Sequence, residues 1–337
     1  MSAEITKEKV EEALGRVMDP ELGNDLVSLN MVKGVNINDG TVEATVELTT
    51  SGCPLKAKIE GDCKQEIGSI DGVTDVKIVF TAKPIPIRTE VSLPTVKKII
   101  AISSGKGGVG KSTIATNIAK AFQKSGYSVG LLDADIYGPN IPTLLENYAR
   151  PTITHDDKLV PITHDGLKFI SMGLLLEPGQ PVIWRGPMLH GVVKQFLADV
   201  IWGDLDYLFV DLPPGTGDVH LSLCQMVDLT GAIAITTPQQ LSVADVRKGI
   251  GMFRQLQVEV LGIIENMSYY VHPGTNEKIY VFGKNGGKNL AEEWNLPLLA
   301  QIPIDPAICE KSENGLTYLM PVVEKLHQVF ESKVSAS

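Results

Sequence analysis

The segment with the clearest chemistry is a glycine-rich run at residues 105–112, which reads Gly-Lys-Gly-Gly-Val-Gly-Lys-Ser. It lies between a strand pattern and a helix pattern, the arrangement in which backbone N–H groups converge on phosphate oxygens at a helix N-terminus. In such a loop Lys111 reaches the β- and γ-phosphates and the Ser112 hydroxyl holds Mg²⁺. The run therefore predicts ATP binding through the following residues: Gly105, Lys106, Gly107, Gly108, Val109, Gly110, Lys111, Ser112 and Thr113.

Aspartates follow the next predicted strands. Asp133 and Asp135 end the segment SVGLLDAD, and Asp211 ends YLFVD. The carboxyl edge of a parallel sheet is where ligands bind in open α/β folds, and a carboxylate there can orient the attacking water or hold Mg²⁺ through water. We predict catalytic roles for Asp135 and Asp211 beside Lys111, and water-mediated Mg²⁺ contacts for Asp133 and Asp211. The alternative for any one of them is a helix cap.

The elements that must position these residues are continuous apolar runs that end in polar, glycine or proline residues. Such runs predict a mostly parallel sheet with helices on both faces, which is an α/β fold. The helix after the glycine-rich run carries Ile114, Ile118, Ala119 and Phe122 on one face. We assign residues 96–337 to this P-loop ATPase domain, with these strands: KKIIAIS, SVGLLDAD, DYLFVDLP, GAIAITTP, VLGIIENM and LLAQIPI.

The segment before this domain has a different pattern. Residues 4–17 have amphipathic helix spacing, Val32–Ile37 and Thr41–Leu48 alternate as a β-hairpin, and a helix from Pro54 to about Ile70 precedes a strand over Val73–Phe80. These elements predict a small α/β domain over residues 1–81. Residues 82–95 contain three prolines and predict a semi-rigid linker.

Composition restricts the compartment and the partners. Of the 337 residues 43% are apolar and 21% are charged, which is typical of globular proteins, and the formal charge of −10 argues against a nucleic-acid partner. The start of the chain lacks the apolar core of a signal peptide, and no apolar run approaches the roughly 20 residues that span a bilayer. The four cysteines form no Cys-x-x-Cys, which favours a reducing compartment. We therefore expect a cytoplasmic protein with no membrane partner.

Several motifs together carry a resemblance to a known family. GKGGVGKS resembles the deviant Walker A motif of the ParA/MinD superfamily, in which the early lysine reaches across a nucleotide-sandwich dimer to the partner's phosphates. Over about residues 96–320 the chain resembles the Mrp family of iron–sulfur cluster carrier ATPases, and DPEL (19–22) and TTSGCPL (49–55) resemble the small domain fused to Mrp proteins. The large-domain motifs are LLDADIYGPNIP, WRGPM (184–188), DLPPGTGDVHL, TTPQQLSVADVRKGI and ENMS.

The resemblance implies more than the residues do alone. It implies a homodimer, a catalytic role for Lys106, and adenine contacts from Asn266 and from Pro303 in the IPID segment. It also implies a [4Fe–4S] cluster as a further cofactor, with an iron–sulfur scaffold protein and recipient apoproteins as partners.

The chain departs from the family pattern at one place. Many members carry Cys-Pro-x-Cys shortly after ENMS, where cysteines of two subunits bridge a [4Fe–4S] cluster, but residues 268–274 here read Ser-Tyr-Tyr-Val-His-Pro-Gly. Because thiolates normally hold such clusters, this chain either holds a cluster elsewhere or has kept the ATPase and lost that site. Cys53 is the candidate, since a predicted helix N-terminus lowers a thiol's pKa, although a buried and inert cysteine is equally consistent. His272 is either an iron ligand or an exposed turn residue, and we favour the turn.

These observations leave two functions open. The first is an ATP-hydrolysing carrier that delivers iron–sulfur clusters to apoproteins, which the N-terminal domain favours. The second is a ParA/MinD-like switch or scaffold that dimerises with nucleotide and carries no cluster, which the missing Cys-Pro-x-Cys favours. A MinD-like protein would need a terminal amphipathic membrane helix, but residues 320–337 are not rich in Lys and Arg on their polar face. A ParA-like protein would need a basic surface, which the charge of −10 argues against. A nitrogenase-type reductase would need cluster cysteines in the large domain, which offers Cys224 and Cys309.

Overall fold

The computed structural model describes residues 5–19, 24–38, 40–48, 56–82, 91–175 and 186–334. The chain divides into two compact units, Met1–Ile85 and Pro86–Ser337. Cys53 and the rest of the TTSGCPL segment lie outside the described residues, as do residues 83–90 of the predicted linker. Within the described part of the chain, no helix has the length and apolar character needed to cross a membrane.

The smaller unit packs two helices against a three-stranded sheet. The predicted hairpin is present, and the third strand pairs in parallel with its second strand. The first helix ends at Leu14, three residues before the predicted end, and the last strand begins two residues later than predicted. The helices bury Leu14, Ile59 and Ile67 against Val42 and Val46 of the sheet. The elements are α1 (Lys7–Leu14), β1 (Met18–Asp19), β2 (Asn24–Asp25), β3 (Val32–Asn38), β4 (Thr41–Leu48), α2 (Lys56–Gly68) and β5 (Asp75–Ala82).

The larger unit is built on an eight-stranded sheet in the order β10-β11-β7-β12-β6-β13-β14-β17. Every neighbouring pair in it is parallel except β10 with β11. Its strands are β6 (Val96–Ser104), β7 (Val129–Asp133), β10 (Ile162–His164), β11 (Leu167–Ser171), β12 (Leu205–Asp211), β13 (Gly231–Thr236), β14 (Val260–Glu265) and β17 (Leu298–Gln301). Two-residue strands form separate small pairs: β8 (Thr152–Ile153) with β9 (Leu159–Val160), and β15 (Tyr270–Val271) with β16 (Lys278–Ile279).

Helices cover both faces of this sheet. On one face Ile100 and Ile102 of β6 join a core with Ile118 and Phe122, and on the other face Ser103 contacts His220. The helices are α3 (Lys111–Lys124), α4 (Ile141–Leu144), α5 (Gly186–Ala198), α6 (Asp218–Met226), α7 (Gln240–Gln255), α8 (Gly286–Trp294), α9 (Pro306–Glu310) and α10 (Leu316–Val334). Short 3₁₀ turns lie at Met172–Leu174 and Ser312–Gly315. The predicted fold class, a mostly parallel sheet between helices plus a small α/β unit, is confirmed.

The end of the predicted linker packs on the larger unit. Val91 is buried, and its backbone N–H donates to the carbonyl of Met226 at 2.9 Å. The regular strand β6 begins five residues later, at Val96.

Candidate active site

The glycine-rich run forms the loop between β6 and α3, and its conformation requires glycine at particular positions. Gly108 and Gly110 have φ values of +79° and +81°, in the left-handed region that disfavours side chains. At Gly105 a Cβ atom would overlap the backbone of Asp245 and Val246 on α7. The loop therefore lies directly against α7, and its backbone leads into the N-terminus of α3 at Lys111.

Asn266 holds this loop from the side. Its Nδ2 donates to the carbonyl of Val109 at 2.8 Å and fills the space where Gly110 would carry a side chain. Asn266 and Pro303 are both buried, and among the described residues neither lines the cleft around the loop. The observed contact makes Asn266 a support of the loop, and the adenine contacts of the two residues stay a prediction.

Lys111 lies between two of the predicted aspartates. Its Nζ is 2.7 Å from Asp211 Oδ1 and 3.5 Å from Asp135 Oδ2, and the side chain is 6% exposed. A buried ion pair of this kind depends on both partners, because removing one leaves an uncompensated charge. The structure thus joins the loop lysine, the end of β12 and the loop after β7 in one charged cluster.

Asp211 also offers an oxygen suited to a cation. Its side chain is fully buried, and its Oδ2 has no hydrogen-bond partner among the described residues. Burial raises the pKa of Asp211, and the charge of Lys111 opposes this shift. Mg²⁺ prefers carboxylate, hydroxyl and water oxygens, so this oxygen and the nearby Ser112 hydroxyl fit that ion.

Asp133 is the register partner of Asp211 on the neighbouring strand but has different surroundings. It is fully buried, and its carboxylate accepts from the Ser171 hydroxyl at 2.8 Å, the Ile141 N–H at 3.2 Å and the Asp135 N–H at 3.3 Å. Burial and the charge of Asp211 raise the pKa of Asp133 to about 8. Its contacts tie the loop after β7 to β11, and its predicted water-mediated Mg²⁺ contact stays a prediction.

A cleft of about 840 Å³ lies over the glycine-rich loop. Asp135 lines it and accepts from the Gly138 N–H at 3.3 Å, so the carboxylate is fixed to its own loop. The cleft is also lined by Tyr137, Asn140 and Thr143, which follow β7, and by Pro213 and Pro214, which follow β12. The segments that follow these two strands therefore line the same cleft as the phosphate-binding loop.

His220 lines the cleft, but its role in the site was not predicted from the sequence. It is 1% exposed, and its Nε2 lies 3.4 Å from the Ser103 hydroxyl, whereas its Nδ1 has no hydrogen-bond partner within the described residues. Burial and the charge of Lys111 lower the pKa of His220 to about 4. The imidazole is therefore neutral at physiological pH.

Lys106 points to a partner in its own chain. Its Nζ donates to Gln239 Oε1 at 2.9 Å, and Gln239 is the residue immediately before α7. The position of Lys106 in the loop was predicted from the sequence. Its contact with the Gln239 amide was not, because the two residues are 133 positions apart along the chain.

Two of the described cysteines, Cys63 and Cys224, are poor thiolates. Cys63 and Cys224 are buried and free, and burial raises the pKa of each to about 12. His272 accepts from the backbone N–H groups of Gly274 and Thr275, both at 3.2 Å, within the turn between β15 and β16. This hydrogen bonding agrees with the turn interpretation of His272.

The parallel sheet, the glycine-rich loop and the Lys111–Asp211 pair define a P-loop NTPase. A family model described as "NUBPL iron-transfer P-loop NTPase" matches residues 95–335, and the chain belongs to that family. A second model, described as "Iron-sulfur cluster assembly protein", matches residues 7–78.

Known proteins resemble the chain over most of its length. It is 48% identical to an iron-sulfur cluster carrier protein of Synechocystis sp., over 93% of this chain and 91% of the relative. It is 47% identical to an iron-sulfur cluster carrier protein of Deinococcus radiodurans, over 90% of this chain and 86% of the relative. A solved structure, a nucleotide-binding protein from Archaeoglobus fulgidus in complex with ADP, is 38% identical with a TM-score of 0.59 and covers 67% of this chain and 88% of its own.

Proposed function

We propose that this chain binds and hydrolyses ATP and uses that cycle to receive an iron–sulfur cluster and deliver it to apoproteins. The observation that carries the proposal is the joining, in one chain, of an iron–sulfur assembly segment to a P-loop cleft with an ordered cluster of charges. We assign the assembly domain to residues 1–81 and the ATPase domain to residues 96–337. The free Cys63 and Cys224 thiols fit a reducing cytoplasm.

In the proposed ATP step, the backbone N–H groups of the loop bind the phosphates and Lys111 neutralises charge on the β- and γ-phosphate oxygens. Mg²⁺, held by Ser112 and Asp211, would add positive charge where negative charge develops on the phosphates. Asp135 orients the attacking water, because its carboxylate is fixed to the Gly138 N–H at the wall of the cleft.

The overall function can be tested by cluster transfer. The protein is reconstituted anaerobically with iron and sulfide and mixed with an apoenzyme whose activity requires a [4Fe–4S] cluster. We expect transfer to be faster with ATP than with a non-hydrolysable analogue. If a cluster forms but is transferred to the apoenzyme at the same rate under both conditions, ATP hydrolysis does not drive cluster delivery. If no cluster forms, the result favours the dimerising switch.

We predict that Lys106→Ala impairs ATP hydrolysis more than ATP binding. The reason is that, in a nucleotide-sandwich dimer, the Lys106 ammonium serves the phosphates bound to the other subunit. Loss of one charge-assisted contact should weaken the nucleotide-dependent dimer by about tenfold. Sedimentation with a non-hydrolysable ATP analogue measures the dimer, and calorimetry measures ATP binding.

Lys124→Ala provides a matched control for this change. Lys124 lies in the last turn of α3, on the same helix as Lys111 but away from the loop. Equal dimer affinity and equal turnover in the Lys106→Ala and Lys124→Ala proteins would contradict a role for Lys106 across the dimer.

For cluster binding we predict that Cys53→Ser abolishes the reconstituted cluster and leaves ATP hydrolysis nearly unchanged. The buried Cys63 and Cys224, whose pKa values lie near 12, cannot easily supply thiolates at a surface shared by two subunits. Two cysteines from each subunit would satisfy the four ligands of a cubane cluster. The visible absorbance of the cluster and the iron content per subunit measure the result.

Cys309→Ser is the matched comparison, because Cys309 lies on α9 in the larger unit. Loss of the cluster in both variants would indicate that the two thiols act together. A cluster that survives in Cys53→Ser but not in Cys309→Ser would move the site to the ATPase domain.

A further inference from the structure

The hydrogen bond between Lys106 and Gln239 joins two elements that are fixed relative to each other. The loop containing Lys106 begins at Gly105, which lies directly against Asp245 and Val246 of α7. Gln239 immediately precedes the same helix, and its side chain is half-buried. The packing of the loop against α7 therefore keeps Lys106 Nζ and Gln239 Oε1 close together, at 2.9 Å. The hydrogen bond does not depend on a chance approach of two long surface side chains.

We propose that Gln239 is a positioning residue that retains the Lys106 ammonium within its own subunit, and that this hydrogen bond must break before Lys106 can serve a second subunit. The inference rests on the proposed dimeric ATP cycle and adds to it a restraint on the free subunit. It assigns Gln239 a role in setting when the dimer closes.

The chemistry of the acceptor suits a restraint that can be released. A neutral amide oxygen binds an ammonium by one hydrogen bond, whereas a phosphate presents charged oxygens and forms stronger, charge-assisted bonds. A carboxylate at position 239 would compete with phosphate through its own charge. The amide therefore retains Lys106 in the free subunit and loses it when a triphosphate is presented.

The surroundings of the ammonium also favour release. Gln239 precedes the N-terminus of α7, where the helix dipole is positive and disfavours a cation. The loop carries a second ammonium on Lys111, which is paired with Asp211 and so stays in place. Of the two loop lysines, Lys106 is therefore the one whose ammonium is bound by a neutral group. Its partner also lies beside a helix N-terminus, which disfavours a positive charge.

The first experiment compares Gln239→Leu with Gln240→Leu. Gln240 is the next residue, is exposed, and provides the same change of side chain without the contact to Lys106. With a non-hydrolysable ATP analogue we expect the Gln239→Leu dimer to be about tenfold tighter than wild type, because the free subunit no longer competes for the ammonium. Gln240→Leu should match wild type. Sedimentation velocity over a range of protein concentrations measures the dissociation constants.

The same substitution in a Lys106→Ala background shows whether the effect passes through the lysine. We expect Gln239→Leu to change the dimer dissociation constant of Lys106→Ala by less than about twofold, since the two side chains then have no interaction left to lose. In addition, acylation of Lys106 by an amine-reactive reagent, followed by peptide mass spectrometry without nucleotide, should be faster in Gln239→Leu and unchanged in Gln240→Leu.

The outcomes separate this inference from the function on which it rests. If Lys106→Ala weakens the dimer but Gln239→Leu leaves it unchanged or weakens it, the dimeric cycle stands and the restraint is wrong. If neither wild type nor any variant dimerises with nucleotide, both ideas are wrong. A tighter Gln239→Leu dimer that persists in the Lys106→Ala background would also overturn the restraint.

Discussion

Lys111→Ala is expected to weaken ATP binding by about 100-fold or more, because each hydrogen bond from a charged group to phosphate contributes about 1.5–3 kcal/mol. The same change leaves the buried Asp211 carboxylate without its partner at 2.7 Å, so we also expect a loss of stability on the order of 3 kcal/mol. Calorimetry measures the first effect and chemical denaturation the second.

A second substitution separates the two effects. Adding Asp211→Asn to Lys111→Ala removes the unpaired charge, and we expect it to restore much of the stability while ATP binding stays lost. An ATP affinity for Lys111→Ala within about threefold of wild type, a difference below roughly 0.7 kcal/mol, would overturn the phosphate-binding role of the lysine.

Asp135→Asn is expected to lower kcat by about 100-fold or more, since general-base and water-orienting groups contribute roughly 10²–10⁴-fold. The amide keeps an oxygen that can accept from the Gly138 N–H but loses the negative charge that attracts the water proton. KM for ATP should change little, because the loss falls on the transition state. Steady-state turnover with a range of ATP concentrations measures both constants.

Asp156→Asn gives the same chemical change at an exposed turn of the larger unit and should leave kcat at the wild-type value. If Asp135→Asn also retains wild-type turnover, the attacking water is oriented by another residue. His220 would then be the next to test, because its neutral imidazole lies in the same cleft.

The sequence predicted the elements whose signals are local. Each of the six apolar runs is a strand of the central sheet, because a buried parallel strand needs a continuous apolar segment and a polar end. The loop at 105–112 was equally clear from its glycine spacing, and Gly108 and Gly110 have the positive φ values that favour glycine. The edge strand β10 and its neighbour β11 were not predicted, because their short segments are recognised as strands only by their pairing, β10 with β11 and β11 with β7.

The contacts that complete the site are distant in sequence and could not be predicted from it. The Ser171 hydroxyl reaches Asp133 across 38 residues, and the Asn266 amide reaches Val109 across 157. The sequence around a serine or an asparagine does not indicate its hydrogen-bond partner, because the two residues come together only when the strands assemble. For the same reason Asn266 was assigned to adenine by resemblance, whereas its observed contact is with the loop.

The packing of α3 has a consequence for how the protein is made. The face of α3 that contains Ile114, Ile118 and Phe122 is covered in part by α10, and Lys120 of α3 pairs with Glu313, which lies 193 residues further along the chain. During synthesis the phosphate-binding loop and its helix emerge long before the segment that covers them. Contacts of such long range form slowly and leave apolar surface exposed meanwhile. The part of α3 that α10 covers therefore stays exposed in the nascent chain until α10 has been translated.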